Sequence, residues 1–185
     1  MRLILVRHPR PQIAPGICYG SSDIPAQPEH QAQVLAKLRA ELLAELPDAM
    51  LMTSPLLRCA ELAAQLARHR GATLSNDHRL AEMDFGAWEM RAWDDIPRAE
   101  VDAWAADLVH YRPGGGENVL AVVQRVSAFY EDIQRQQRDV IAICHAGTIR
   151  VLEACQHGRA LPDIALHAAH KPNQIPYGAS RILHL

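Results

Sequence analysis

The sequence predicts an α/β protein, a three-layer α/β/α sandwich with a mostly parallel sheet and helices on both faces, and three observations carry that expectation. Short apolar runs at Leu3–Val6, Ala49–Thr53 and Val140–Cys144 are too brief for helices and read as buried strands. Between them lie segments whose apolar residues recur at helical spacing. Two of the runs also end alike, in Val6-Arg7-His8 and Ile143-Cys144-His145, so strands lying side by side would bring a cation and two imidazoles to one sheet edge. In open α/β sheets that carboxyl edge is where ligands bind.

The first strand stops at Arg7 because Pro9 and Pro11 can continue neither a ladder nor a helix. A Pro- and Gly-rich loop follows to about Pro28 and holds Tyr19-Gly20-Ser21-Ser22-Asp23. From about Glu29 to Leu46, Leu35, Leu38, Leu42 and Leu46 mark a helix that Pro47-Asp48 closes. After the second strand, Ser54-Pro55 starts another helix to about Arg70, with Ser54 as its cap and Pro55 at the first helical position. Gly71–Ser75 suits a short strand, and Leu80–Trp93, which has no period, suits a packed irregular loop. Asp94 to about His110 reads as a helix broken near Pro97. Pro113-Gly114-Gly115-Gly116 reads as a flexible loop before a helix whose buried face is Val119, Val123, Val126, Tyr130 and Ile133. His145-Ala146-Gly147 ends the third strand ahead of a helix from about Thr148 to His157. Ala160–Pro176 reads as loop or broken helix, and Arg181–Leu183 as a final edge strand for which an antiparallel placement is open. No repeat, low-complexity stretch or linker interrupts residues 1–185, so one domain is expected.

With 49% apolar and 22% charged residues the chain belongs among globular proteins. Its 19 basic and 21 acidic residues leave a formal charge of -2, which argues against a surface built for nucleic acid or membrane. The bases are arginines except Lys37 and Lys171; the guanidinium fork suits phosphate, but a general arginine bias gives the same composition. Cys18, Cys59, Cys144 and Cys155 are widely spaced, which points to buried free thiols and to no metal site. The opening apolar run is too short for a leader or a span, so a cytoplasmic protein is expected. A homodimer stays open.

Arg7 and Arg58 with His8 and His145 around a cleft would make a pocket for a dianion, since charge-assisted N–H groups in fork geometry match phosphate oxygens. A histidine there can accept a phosphoryl group if one ring nitrogen is unprotonated and the other is held by a backbone carbonyl. The leaving oxygen needs a proton, for which Glu82 and Asp84 are the candidates. Gly114-Gly115-Gly116-Glu117 could cradle an anion, though a plain connection is the stronger reading, and Trp88, Trp93 and Trp104 read as packing residues. The remaining histidines show no ligand spacing.

Taken together and in this order, Arg7-His8 after a hydrophobic strand, Ser54-Pro55-Leu56-Leu57-Arg58, Leu80 to Glu89, and His145-Ala146-Gly147-Thr148-Ile149-Arg150 resemble the phosphoglycerate-mutase-like branch of the histidine phosphatase superfamily. The resemblance implies a phosphoglycerate-mutase-like fold and a phosphomonoesterase. It implies His8 as the nucleophile, Arg7, Arg58 and His145 as phosphate ligands, Glu82 as the acid, and backbone donors at Ala146 and Gly147. It implies no metal or organic cofactor and a small-molecule phosphate ester as substrate. The Cys18 to Pro25 block and the short chain are similar to α-ribazole phosphatases, which implies α-ribazole 5'-phosphate, in cobalamin biosynthesis, as substrate, with Tyr19 and Gly20 on the substrate side. Where that family usually has Gly and then Thr after the histidine, this chain has Pro9 and Pro11, and Met90 replaces a usual Gly. Pro9 removes a backbone donor and pushes His8 towards extended angles. The alternatives are a phosphoglycerate-type mutase, a non-catalytic phospholigand-binding protein and, weakest, a metal-dependent hydrolase.

Overall fold

A computed structural model describes residues 1–42, 45–158, 160–170 and 174–185. The order is β1 (Arg2–Arg7), α1 (Pro28–Glu41), β2 (Met50–Thr53), α2 (Leu57–Arg70), β3 (Leu74–Asn76), α3 (Arg98–Ala106), α4 (Val119–Gln136), β4 (Val140–Cys144), α5 (Ala146–Cys155), α6 (Leu161–His170) and β5 (Ser180–His184). The sheet runs β3-β2-β4-β1-β5, parallel except for β5, which is antiparallel on the edge beside β1. Among the described residues no helix is long and apolar enough to cross a membrane.

The continuous apolar runs of β1 and β4 follow from burial on both faces. Alternate side chains divide between two cores: Leu3 and Leu5 pack with Val123, Phe129 and Leu152 of α4 and α5, while Ile4 and Val6 pack with Leu38 of α1 and Leu62 of α2. Helices therefore cover both faces and the predicted α/β/α layering holds. A smaller cluster of Cys18, Trp88 and Ile96, joined by Phe85, Trp104 and Tyr111, ties the irregular segment to the first loop and α3; Trp88 and Trp104 pack there as expected, whereas Trp93 is partly exposed.

Several boundaries differ from the sequence reading, each for a tertiary reason. The second helix begins at Leu57 rather than Pro55, with an extended Leu56 before it. Its first N–H is met by Asp23 Oδ1 at 2.6 Å from across the chain, and the Ser54 hydroxyl accepts the preceding Leu56 amide at 3.4 Å. The tail expected as loop or broken helix contains α6, whose buried residues are Ile164, Ala165 and Ala168; small side chains against the core make a weak hydrophobic period. Arg159 and residues 171–173 of that tail lie outside the described residues. So do Leu43 and Ala44 in the expected continuation of α1 beyond Glu41. α5 starts at Ala146 rather than about Thr148, with His145 alone between it and the strand.

The glycine run is neither a free linker nor an anion cradle. Gly114 (φ 57°) and Gly116 press against the backbone of residues 84–88, and a Cβ on Gly116 would stand 2.2 Å from the Asp84 carbonyl oxygen. Two chain segments cross there at a spacing only glycine permits. Met90, by contrast, occupies a left-handed conformation (φ 64°) that costs an L side chain about 1–2 kcal/mol. Because its side chain is exposed, Met90→Gly is expected to stabilise the fold by about 0.5–1 kcal/mol once glycine's own chain entropy is subtracted. Urea denaturation checks this, and a lower midpoint for the variant would contradict it.

Candidate active site

Parallel pairing of β1 with β4 puts Arg7 opposite Cys144, so the next residues of both strands, His8 and His145, leave the sheet together. Their rings lie 5.0 Å apart. The His8 amide donates to the Cys144 carbonyl at 3.0 Å. His8 Nδ1 lies 2.7 Å from the Pro9 carbonyl oxygen. A carbonyl can only accept, so Nδ1 carries the proton and Nε2 keeps its lone pair. Pro9, which supplies no N–H, thus supplies the acceptor that sets the tautomer. His145 is fully buried, and its Nε2 lies 2.8 Å from the hydroxyl of Ser54 at the end of β2.

Two guanidiniums approach these rings. Arg58, in the first turn of α2, has no exposed surface; it donates through Nη1 to the Ser22 carbonyl at 2.8 Å and through Nη2 to the Gly20 carbonyl. Carbonyls hold both arms without neutralising the charge. Arg7 donates through Nη1 to the Ile175 carbonyl. Among the described residues, the Nε atoms of both arginines are buried and without a hydrogen-bond partner, which makes them donors that an anion would satisfy.

The loop that meets Arg58 is itself organised by Glu89. Its carboxylate accepts the amides of Gly20, Ser21, Ser22 and Phe85, and also the Ser22 hydroxyl. Burial opposes the Glu89 charge, but the Ser22 hydroxyl and the amides of Phe85, Gly20 and Ser21 outweigh it and hold the carboxyl below its usual range. Gly20 is therefore committed at both its N–H and its carbonyl, and a Cβ there would lie 1.9 Å from the Met83 carbonyl oxygen.

Both candidate acids accept hydrogen bonds: Asp84 Oδ1 from the Gly86 amide at 2.8 Å and the Ser21 hydroxyl at 3.1 Å, and Glu82 Oε1 from the Met83 amide at 3.1 Å. Glu82 faces the cleft, with Oε2 accepting from the Gly147 amide at 3.3 Å at the start of α5. Its backbone is fixed from α4 by Arg125, which donates to the carbonyls of Arg79, Ala81 and Glu82 and pairs with Glu117 at 2.9 Å. Neither Arg125 nor Glu89 stood out as a site residue in the sequence. Glu89 lies within a recognised block, whereas nothing in the spacing of α4 marks Arg125.

These groups surround a cavity of about 320 Å³ whose wall includes Arg7, His8, Tyr19, Arg58 and Glu82, with Ala146 and Gly147 from α5. Gly20 and His145 lie behind that wall, in contact with Arg58 and with the His8 ring respectively. Another part of the wall is apolar and aromatic. Trp93 and Trp104 stack at 6.1 Å with planes 6° apart, and Phe85 meets both edge-on. Such an arrangement can hold a phosphate group against an imidazole while its organic part rests on rings.

Both histidines are held well below the ordinary value of 6.5. Burial is the main cause for each; Arg58 and Arg7 add to it at His8, and His8, Arg58, Arg125 and Arg7 at His145. His8 is thus neutral, which is the form the nucleophile role expected of it requires. The sign for stability follows: the unfolded chain takes up protons near pH 6.5 that the folded chain refuses, so stability is full above that pH and falls as pH drops below it. The expected slope is up to about 1.4 kcal/mol per pH unit for each histidine. Denaturant midpoints measured at about pH 7.5, 6.5 and 5.5 check it, and a midpoint constant down to about pH 5.5 would rule out neutral buried histidines.

A profile described as histidine phosphatase superfamily (branch 1) matches residues 3–173. The adenosylcobalamin/alpha-ribazole phosphatase of Escherichia coli (strain K12) is 30% identical over 162 residues, which cover 83% of this chain and 78% of that protein. A glucosyl-3-phosphoglycerate phosphatase of Mycolicibacterium vanbaalenii is 27% identical over 169 residues, covering 85% of this chain and 74% of that protein. The crystal structure of the alpha-ribazole phosphatase from Shigella flexneri superposes with a TM-score of 0.81 at 26% identity, covering 100% of this chain and 91% of that one.

Proposed function

The chain belongs to the histidine phosphatase superfamily (branch 1), and on that premise we propose that residues 1–185 act as one phosphomonoesterase domain working through a phosphohistidine at His8. The observation that carries this reading is the bond between His8 Nδ1 and the Pro9 carbonyl, which leaves Nε2 with its lone pair for attack on phosphorus in a cavity wall shared with Arg7 and Arg58. Arg7, Arg58 and the amide at Ala146 hold the phosphoryl oxygens, joined by the Gly147 amide once Glu82 gives it up, while His145 backs the His8 ring from behind the wall, so charge on the oxygens is met by fixed donors. Nε2 bonds to phosphorus as the ester P–O bond breaks, and Glu82 gives its proton to the leaving oxygen. Water then attacks phosphorus as the P–N bond to Nε2 breaks, Glu82 takes the water's proton, and phosphate leaves with His8 neutral again. The reading calls on no metal ion or organic cofactor.

The substrate we propose is α-ribazole 5'-phosphate, a metabolite of cobalamin biosynthesis. Supporting it are the Escherichia coli and Shigella flexneri relatives and the ring surface of Phe85, Trp93 and Trp104, against which a benzimidazole could lie. A phosphate-release assay over α-ribazole 5'-phosphate, glucosyl-3-phosphoglycerate and 3-phosphoglycerate tests the choice. The expected order places α-ribazole 5'-phosphate first in kcat/KM by at least about tenfold. A higher value for glucosyl-3-phosphoglycerate would displace it, and isomerisation of 3-phosphoglycerate without phosphate release would identify a mutase.

A further inference from the structure

Residues 174–179 connect α6 to β5 and cross the carboxyl end of β1, where they are tied to it repeatedly. The Gly178 amide donates to the carbonyls of Arg7 and His8 at 3.1 and 3.3 Å, and the Arg7 amide donates to the Ala179 carbonyl at 2.9 Å. These bonds place Tyr177 with its ring 3.8 Å from the guanidinium carbon of Arg7 and 5.5 Å from the His8 ring. The Tyr177 hydroxyl lies 2.8 Å from that of Tyr19. The Tyr19 ring in turn lies 5.5 Å from the guanidinium carbon of Arg58. Each guanidinium of the anion site therefore has a tyrosine ring against it, and one hydroxyl pair joins the two rings.

We propose that Tyr177 is a positioning residue of the phosphate site, which stacks on Arg7 and bridges to Tyr19 so that the plane of the Arg7 guanidinium is fixed for an incoming phosphoryl group. The inference rests on the hydrolase reading above and extends it to a residue outside every recognised block. Arginine recognises phosphate through donors confined to one plane, so the orientation of that plane decides whether they reach the oxygens. The bond to Ile175 holds one arm of Arg7 but leaves rotation about that arm open. A ring face 3.8 Å away removes that freedom and adds cation–π attraction without consuming a donor, so Nε remains available. The hydroxyl bridge serves the ring as the ring serves the arginine. It stops Tyr177 from swinging away and couples the Arg7 side of the site, carried by β1 and the C-terminal connection, to the Arg58 side, carried by the first loop. Burial and the bond to Tyr177 push the Tyr19 phenol up, so it stays protonated and the bridge persists through the neutral range.

Because Tyr177 acts on the phosphate side, its effect should not depend on the leaving group. The test is calorimetric binding of inorganic phosphate to the whole protein, with steady-state hydrolysis of p-nitrophenyl phosphate and α-ribazole 5'-phosphate in parallel. Tyr177→Leu is expected to weaken phosphate binding by about 10- to 30-fold and to lower kcat/KM by a similar factor for both esters. Tyr177→Phe keeps the ring and should recover all but about threefold of the loss. Tyr19→Phe should cost the same threefold, with no further loss in the double phenylalanine variant, because one bond is broken in all three. A purely structural role would lower the melting temperature of these variants and leave phosphate affinity within twofold of the wild type; that result overturns the proposal, as does additivity of the two phenylalanine substitutions. If Tyr177→Leu does not fold, the phenylalanine cycle decides alone. Wild-type protein that binds no phosphate and forms no adduct at His8 would bring down the hydrolase reading together with this one. A labelled wild type with variants of unchanged phosphate affinity would bring down only this one.

Discussion

His8→Ala is expected to lower kcat by about 10,000-fold or more and to abolish the acid-labile phosphoenzyme that a rapid acid quench traps in the wild type. Among the described residues that line the cleft there is no second imidazole to substitute for it. The neighbouring imidazole of His145 is fully buried, and its Nε2 is engaged with the Ser54 hydroxyl at 2.8 Å. An alanine at position 8 leaves the arginine donors in place, so phosphate esters should still bind while turnover is lost. That separation between binding and chemistry identifies a nucleophile, because removing a phosphate ligand would weaken binding as well. The variant also removes a ring that is only 2% exposed, so its folding must be confirmed by circular dichroism beside the kinetics. A folded His8→Ala protein with full turnover would place the nucleophile elsewhere and end the phosphohistidine mechanism.

Arg58→Met should damage both activity and stability. Arg58 holds the Gly20 and Ser22 carbonyls from a position with no solvent exposure, its Nε is buried without a partner, and the residue lines the cavity. Methionine fills much of the stem's space but leaves both carbonyls without that donor. Each bond to a charged group contributes about 1.5–3 kcal/mol, and relief from burying the charge offsets part of the loss, so a net destabilisation of about 2–4 kcal/mol is expected. Loss of a fixed charged donor from the phosphoryl oxygens should lower kcat/KM by about 100- to 1,000-fold. Arg58→Lys should not rescue, since one ammonium on a single-pointed stem cannot span two carbonyls and a phosphate in fork geometry. The checks are urea midpoints and kcat/KM on the same preparations. Wild-type stability in Arg58→Met would show that the loop is held by Glu89 alone, and wild-type kcat/KM would remove Arg58 from the site.

Much of the fold and part of the site were legible because they depend on chemistry close together in the chain. β1 and β4 could be recognised since strands buried on both faces must be apolar at every position, and α4 because one face of it, Val123, Val126, Tyr130 and Ile133, meets the core. The abrupt change from those strands to Arg7-His8 and to His145 marked the sheet edge where the cavity lies for the same local reason. Ser54 was read as a helix cap, since serine before proline at a helix start ordinarily is one; its hydroxyl accepts the Leu56 amide only at 3.4 Å and lies 2.8 Å from His145 Nε2, and Asp23 takes the first helical N–H. α6 escaped notice because its buried residues include alanines, too small to stand out as a hydrophobic period. Arg125 and Tyr177 escaped because a polar residue on a helix or in a loop looks the same whether it meets water or an active-site backbone. Pro9 looked like a lost donor and proved to be the acceptor that orients His8. Which strand neighbours which, which carboxylate faces the cavity and which tyrosine covers which arginine all depend on contacts between residues far apart in the chain. Those contacts are selected by burial of the whole sheet, and no short window of sequence contains both partners.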